Sequence, residues 1–469
     1  MAAHLLDHAG YSTSSALQMG PSSATRRVWL PKGSASDLGG TIVESFAPTI
    51  RLSVVRALFA LVAADDLECD SIDITTALLN GDLEEEIYMK PPEGYEQYSR
   101  HGYLLYCLLL KALYGLKQGG RQWYLKLSEA MKEIGFREVR SEPCVYLWED
   151  STGGKVVVPT YMDDCHIIGK TKESIQHIKA ELQRHFKLRD LGPTSWFLGV
   201  DIKPNRSTHT ITLSQRQYII DTLRAFGMED CTPVKTPMVP GLHLEKPGSP
   251  LSAEEIEFMK DKLCLCAIGK LTWLANGTRP DIAYAAGVLA RFNNCARKAR
   301  WTAVRHLLRY IRVQWTTNSN MVPTHPHPTA FASFSDADYA GDADSAKSTT
   351  GFVLLMGGGA VSWSSKLQSR VARSATEAEF IAGESCTRDM AFFQYIFEDL
   401  GYHIALPQAL GMDNQSAIRV AKNPEHQGRM KHLNPIYYGF REQVEAGEIS
   451  PHFSPTVDMP ADILPTSFL

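Results

Sequence analysis

From Arg51 to Ala64 apolar positions recur at close to helical spacing, which predicts a helix that enters a core. Residues 69–79 read as a strand running into a turn, with Asn80-Gly81-Asp82 as the turn signal. Trp123, Leu127, Met131 and Ile134 share one face of a helix over 121–135. The β-rich run Val156–Tyr161 and the run His166–Gly169 enclose Met162-Asp163-Asp164-Cys165, the pattern of a hairpin with carboxylates at its tip. Residues 172–187 form an amphipathic helix. Helical spacing returns over 252–313, where Arg297, Lys298, Arg300, Arg305, Arg309 and Arg312 make a basic face interrupted by Trp301 and Tyr310. Residues 330–469 give strand, Gly-rich turn and strand (Phe352–Met356, Ala360–Trp363), a helix over 374–400, and a final α/β portion.

Three stretches lack periodicity. Residues 1–25 are rich in Ser, Ala, Gly and His and read as a loose tail. Pro233 to Pro250 is the best linker, and Thr316 to Pro328 a second break. With 469 residues, two to four domains are expected.

Composition changes this picture little. Hydrophobic residues at 44% and charged residues at 21% describe an ordinary globular chain. The formal net charge of -4 counts mildly against a nucleic-acid partner, but clustered catalytic acids would offset a basic groove in that sum. The 9 cysteines include no CxxC pair, and the closest, Cys264 and Cys266, are isolated, so free thiols are expected rather than a zinc site. Neither a signal peptide nor an 18-residue apolar run is present, so an intracellular protein without a membrane span is expected.

The acids carry the chemistry. Template-directed polymerisation is an in-line displacement at phosphorus, supported by two divalent ions held by convergent carboxylates. Asp163 and Asp164 at the hairpin tip and Asp73 on a separate strand are such a set, although an adjacent Asp pair is also common in plain loops. The surrounding residues resemble a known family. Tyr161-Met162-Asp163-Asp164 resembles the palm motif of reverse transcriptases. Ser71 to Tyr95 (with Leu79-Asn80-Gly81-Asp82 and Lys90-Pro91-Pro92-Glu93-Gly94-Tyr95) resembles the first catalytic block of copia-type enzymes, and Leu113 to Tyr124 their next block. Phe197-Leu198-Gly199-Val200, Cys231-Thr232-Pro233-Val234 and Thr278-Arg279-Pro280-Asp281 follow in the family's order.

A second acid set follows the second break. Ser335-Asp336-Ala337-Asp338 through Asp342, Lys347 to Phe352 and Gly357 to Lys366 resemble the opening of the copia-type ribonuclease H, Ser374 to Ala382 its helix, Asp413 to Ile418 its third acid and Ala461-Asp462 its final block. The spacing of Asp336, Asp338, Asp342 and Asp344 fails the calcium-loop template. Asp338, Asp342 and Asp344 are expected as solvated turn acids, and Glu377 as a helix surface residue.

The resemblance implies an N-terminally truncated copia-type retrotransposon Pol region. Its fold would be α/β (α+β): tail 1–25, reverse transcriptase fingers remnant and palm 26–195, thumb/connection 196–328, and a ribonuclease H-like domain 329–469 with a mixed five-stranded sheet. Metal ligands would be Asp73, Asp163 and Asp164 for polymerisation, and Asp336, Glu379, Asp413 and Asp462 for cutting RNA. The cofactor would be Mg2+ (or Mn2+). Gln118 would lie under the incoming nucleotide, and Arg26, Arg27 and Lys32 are what remains to grip the triphosphate, unless Arg26 and Arg27 are a solvated surface pair. Met162 would touch the primer end or pack in the core. Arg429, Lys431 and His432, and the basic face at 297–312, are candidate duplex contacts. Partners would be RNA template, DNA primer, RNA–DNA hybrid and dNTPs, in a cytoplasmic retroelement particle or the nucleus. Departures from the family pattern include the missing upstream fingers and Asn434 in place of an acid. Two alternatives stand beside the active enzyme: a remnant that only binds nucleic acid, which the missing fingers favour, and a chain that keeps ribonuclease H activity alone, because that acid set is complete and its domain self-contained.

Overall fold

The computed structural model describes residues 3–6, 12–13, 45–239, 241–242, 244, 252–292, 297–313, 319–321, 331–423 and 436–466. Two compact units emerge. The first holds residues 1–50 and 68–194; the second holds 51–67, which includes helix α1 (Leu52–Ala64), together with 195–469.

Among its described residues the first unit has two sheets. Strands β1 (Ala3–Leu6), β2 (Ser12–Thr13), β4 (Asp82–Met89) and β5 (Tyr106–Lys111) form one, in the order β2-β1-β5-β4. Strand β3 (Glu68–Ile74) joins β6 (Arg137–Val139), β7 (Glu142–Glu149), β8 (Lys155–Tyr161), β9 (Asp164–Gly169) and β10 (Leu188–Pro193) in a six-stranded sheet ordered β10-β3-β9-β8-β7-β6. Helices α2 (Gly119–Ile134) and α3 (Lys172–His185) belong to the same unit. Trp123, Leu127 and Met131 of α2, and Ile175, Ile178 and Leu182 of α3, bury against Ile72, Ile74, Cys165 and Ile167 of the sheet. Side chains alternate along a strand, so these four occupy one face, and Ser71, Asp73, Asp164 and His166 occupy the other.

In the second unit β11 (Trp196–Phe197), β12 (Val200–Asn205), β13 (Thr210–Ser214) and β14 (Ser319–Met321) pair in sequence order. A helical layer follows: α4 (Arg216–Ala225), α5 (Ala253–Met259), α6 (Cys264–Gly277), α7 (Ala283–Arg291) and α8 (Lys298–Val313). Trp301 and Tyr310 lie in the apolar core of this layer rather than on a duplex-facing surface. Three of the basic residues on or just before α8 have partners or burial here: Arg297 pairs with Glu255, Arg309 donates to the Thr232 carbonyl at 2.6 Å, and Arg300 is buried, while Lys298 and Arg305 stay exposed. Aromatic and basic residues share one helical period here, and burial of the rings decides which way the face turns.

The last part of the unit is the expected mixed sheet. Strands β15 (Phe331–Asp338), β16 (Thr349–Met356), β17 (Gly359–Leu367), β18 (Gln408–Met412) and β19 (Ile449–Phe453) take the order β17-β16-β15-β18-β19, antiparallel on one side of β15 and parallel on the other. Helices α9 (Ala375–Asp399), α10 (Gln415–Lys422) and α11 (Ile436–Glu445) complete it.

Helix α1 is buried on every side from Val54 to Ala63, and that run includes Arg56. The Arg56 guanidinium donates to the carbonyls of Asn276 and Gly277 at the end of α6, each at 2.8 Å, and to that of Val361 on β17 at 2.7 Å. It also lies 3.9 Å from the ring centroid of Trp363, whose Nε1 donates to the Ala275 carbonyl. The five-stranded sheet is therefore tied through β17 to α1 and α6 rather than standing alone.

Candidate active sites

The first acid set is built by register. Asp73 of β3 pairs directly with Asp164 of β9, so their side chains stand next to each other on one face. Tyr161 pairs with Asp164 across the hairpin, leaving Met162 and Asp163 as its turn. Met162 takes φ 53°, a left-handed conformation that a non-glycine residue adopts at a cost. Its carbonyl accepts from Trp123 Nε1 at 2.9 Å, and its side chain packs at the edge of the palm core. Asp163 Oδ2 accepts a 2.6 Å hydrogen bond from the Tyr114 hydroxyl. Burial, and the neighbouring charge of Asp73, raise the carboxyls of Asp163 and Asp164 above the ordinary range.

Gln118, at the start of α2, is buried, and its amide donates to Glu85 Oε2 at 2.6 Å. Arg26, Arg27, Lys32, Arg429, Lys431 and His432 lie outside the described residues.

The second set forms where parallel strands align. Phe334 of β15 pairs with Gly411 of β18, and two residues on from each stand Asp336, still in β15, and Asp413, just past the end of β18. Gly411 permits this approach, since a Cβ there would fall 2.6 Å from the Phe334 ring. Helix α9 is started by Ser374, whose hydroxyl accepts from Glu377 N, while Glu377 Oε2 accepts from Arg373 N at 2.9 Å. Glu377 is thus a buried capping residue, not a surface one, and it fixes the turn from which Glu379 projects. Among the described residues, Asp336, Glu379 and Asp413 are the one trio of acid, His or Cys side chains with ligand atoms all within 4.8 Å of one another. Asp462, on a 3-10 turn over Pro460–Ile463, adds its field at Asp336.

This crowding has a clear electrostatic signature. Burial first, then Asp413 and Asp462, push Asp336 up to about 7. Burial, Asp336 and Asp413 push Glu379 well above the carboxylate range, opposed by the Ala337 N–H. Glu379 Oε2 is buried without a hydrogen-bond partner. Asp338 and Asp342 are not the solvated acids expected: Asp338 accepts from Thr349 N, and Asp342 pairs with Arg291 at 3.4 Å.

Residues 30–240 match the family model described as "Reverse transcriptase (RNA-dependent DNA polymerase)". The chain is 38% identical over 433 residues to the "Retrovirus-related Pol polyprotein from transposon TNT 1-94" of Nicotiana tabacum, covering 92% of this chain and 32% of that one. The chain belongs to the copia-type reverse transcriptases. Similar too are the Pol polyproteins from transposons RE1 and RE2 of Arabidopsis thaliana, 32% and 30% identical, each over 92% of this chain and 29% of the relative. This reverse transcriptase region thus spans about a third of the length of the curated relatives it matches. No helix among its described residues is long and apolar enough to cross a membrane.

Sequence reasoning missed Tyr114 as a partner of Asp163, although it lies inside the Leu113–Tyr124 block. It also missed the capping role of Glu377, for which Ser374-x-x-Glu377 was a readable signal.

Proposed function

We propose that this reverse transcriptase region copies RNA into DNA and also cuts the RNA strand of the resulting hybrid. The observation that carries the polymerase half is the direct pairing of Asp73 with Asp164, with Asp163 at the adjoining turn. The donor sets fit Mg2+ or Mn2+: hard carboxylate oxygens, mutual repulsion, and in the second set an orphaned buried Glu379 oxygen. When bound, two such ions activate the attacking oxygen and stabilise the leaving one.

The roles of the chain's own groups follow. Asp73, Asp163 and Asp164 hold the polymerising centre, with the Tyr114 hydroxyl fixing the rotamer of Asp163. Asp336, Glu379, Asp413 and Asp462 hold the hydrolytic centre, where burial and mutual repulsion favour the protonated forms of Asp336 and Glu379. Gln118 leaves Glu85 to meet the incoming nucleotide. RNA template, DNA primer, hybrid and dNTPs are the partners this reading requires, inside a cell, with the four-part domain division as its working map.

The test is primer extension and RNA cleavage on a labelled RNA template with an annealed DNA primer, Mg2+ and dNTPs. Asp163→Asn should abolish extension alone, and Asp413→Asn cleavage alone. A second reading, nuclease activity without polymerisation, is favoured by one observation: only the second acid set gathers into a tight trio among the described residues. Cleavage without extension would establish it. Neither activity, with hybrid still bound, would leave a binding remnant.

A further inference from the structure

Next to the polymerising carboxylates, on the same face of the six-stranded sheet, lies a buried polar network that the mechanism above does not use. Ser71 pairs with His166 in the same β3–β9 register that pairs Asp73 with Asp164. The two couples therefore stand two residues apart, about 7 Å along the strands, with their side chains on one face. Ser71 Oγ lies 3.0 Å from His166 Nδ1 and 2.8 Å from Thr194 Oγ1, and His166 Nδ1 lies 3.0 Å from Thr194 Oγ1. Thr194 follows β10, and its N–H donates to the Cys69 carbonyl at 2.9 Å. All three side chains are buried, with His166 at 2% exposure.

Such a buried polar cluster, which the Cys69 thiol joins at 3.2 Å from Thr194 Oγ1, is an expensive way to fill a sheet face. Three apolar side chains would bury there without the desolvation cost, and each polar group would be penalised if its partners moved away. The arrangement ties β10, β3 and β9 together beyond their backbone ladders, and it does so one side-chain row from the acids. Its geometry is also intolerant of a lateral shift between β3 and β9, the shift that would separate Asp73 from Asp164.

We propose that Ser71, His166 and Thr194 are positioning residues, which hold Asp73 and Asp164 at the separation that a divalent cation requires. This rests on the polymerase reading for its catalytic consequence, but not for its effect on metal binding. The network acts through strand register and touches neither nucleotide nor primer.

The experiment uses the full chain carrying Asp413→Asn, so that the hydrolytic centre does not obscure the titration. Mn2+ binding is followed by electron paramagnetic resonance, and the palm sites are those lost on adding Asp164→Asn. His166→Ala and Ser71→Ala should each weaken palm Mn2+ binding by about 10- to 100-fold, the usual range for groups that orient metal ligands. Where extension is measurable, kcat should fall with dNTP KM unchanged, and His166→Asn, which returns a polar group near Nδ1, should recover most of both. If His166→Ala fails to fold, Ser71→Ala, which removes one hydroxyl, carries the test. A lower melting temperature with parental Mn2+ affinity and kcat would overturn the proposal, reducing the network to packing. If the parent chain extends no primer, the polymerase reading fails, and the Mn2+ titration still decides: weakened binding supports the positioning role and unchanged binding overturns it. Mn2+ binding insensitive to Asp164→Asn would overturn both.

Discussion

Asp336 and Glu379 show how burial and like charge act on single residues. Both carboxyls are raised in the folded chain, Asp336 to about 7, above the ordinary value near 4 that the unfolded chain would show. Below that ordinary value both states hold the proton and the fold bears no charge cost. As pH rises the unfolded chain ionises first, so stability falls progressively, for Asp336 between about 4 and about 7. The melting temperature of the metal-free chain should therefore decline across that window. Mg2+ should flatten the decline, because a bound cation takes over the proton's role, and Asp336→Asn should flatten it without Mg2+. A pH-independent melting curve in the apo parent would contradict the crowding described.

Elements set where such residues meet, and glycines set how closely. Gly351 of β16 pairs with Asp336, and a Cβ at that position would lie 2.6 Å from Pro465 Cδ and 2.8 Å from Leu464 Cβ. Gly351→Ala should therefore push away the segment just after the Asp462 turn, at an overpacking cost of about 1–3 kcal/mol. Under the proposed function, RNA cleavage should fall much more than primer extension in assays run side by side; an equal fall in both would point to general unfolding. At this scale the sequence was largely readable: the hairpin with Asp163 and Asp164, helices α1, α2, α3 and α9, and the strand pair Phe352–Met356 and Ala360–Trp363 all form where periodicity places them. Strands β4 and β5 were not foreseen, since Asp82-Leu83-Glu84-Glu85-Glu86 carries more charge than a strand usually does. The Ser71–His166–Thr194 network was invisible because no local pattern links residues on three strands. The orientation of α8 went unread for a different reason: Trp301 and Tyr310 satisfy the period of a core stripe and of a stacking surface equally well.

On the scale of the molecule, the order of the chain differs from the order of its units. Helix α1 packs in the second unit, the chain then builds the first, and only afterwards returns to complete the second. Arg56 is central to that closure, because its three carbonyl partners come from α6 and β17. Arg56→Met keeps the volume but leaves those acceptors unsatisfied, at a cost on the order of 3 kcal/mol or more. Limited proteolysis in rising urea, read by mass spectrometry, should show residues 195–469 cleaved earlier than in the parent, while cleavage within 68–194 keeps its midpoint. A parallel shift in both regions would mean that Arg56 serves the whole chain rather than its own unit.

The 305-residue separation between Arg56 and Val361 also has a meaning in time. A chain made at about 5–20 residues per second would emerge with α1 still lacking its β17 partner for roughly 15 to 60 s. Until α6 and then β17 are made, an apolar helix with a cation at its centre lacks its full cover. Newly made chains should therefore associate with one another, or with a chaperone, through this segment, and slower translation should lengthen the interval and lower the yield of soluble protein.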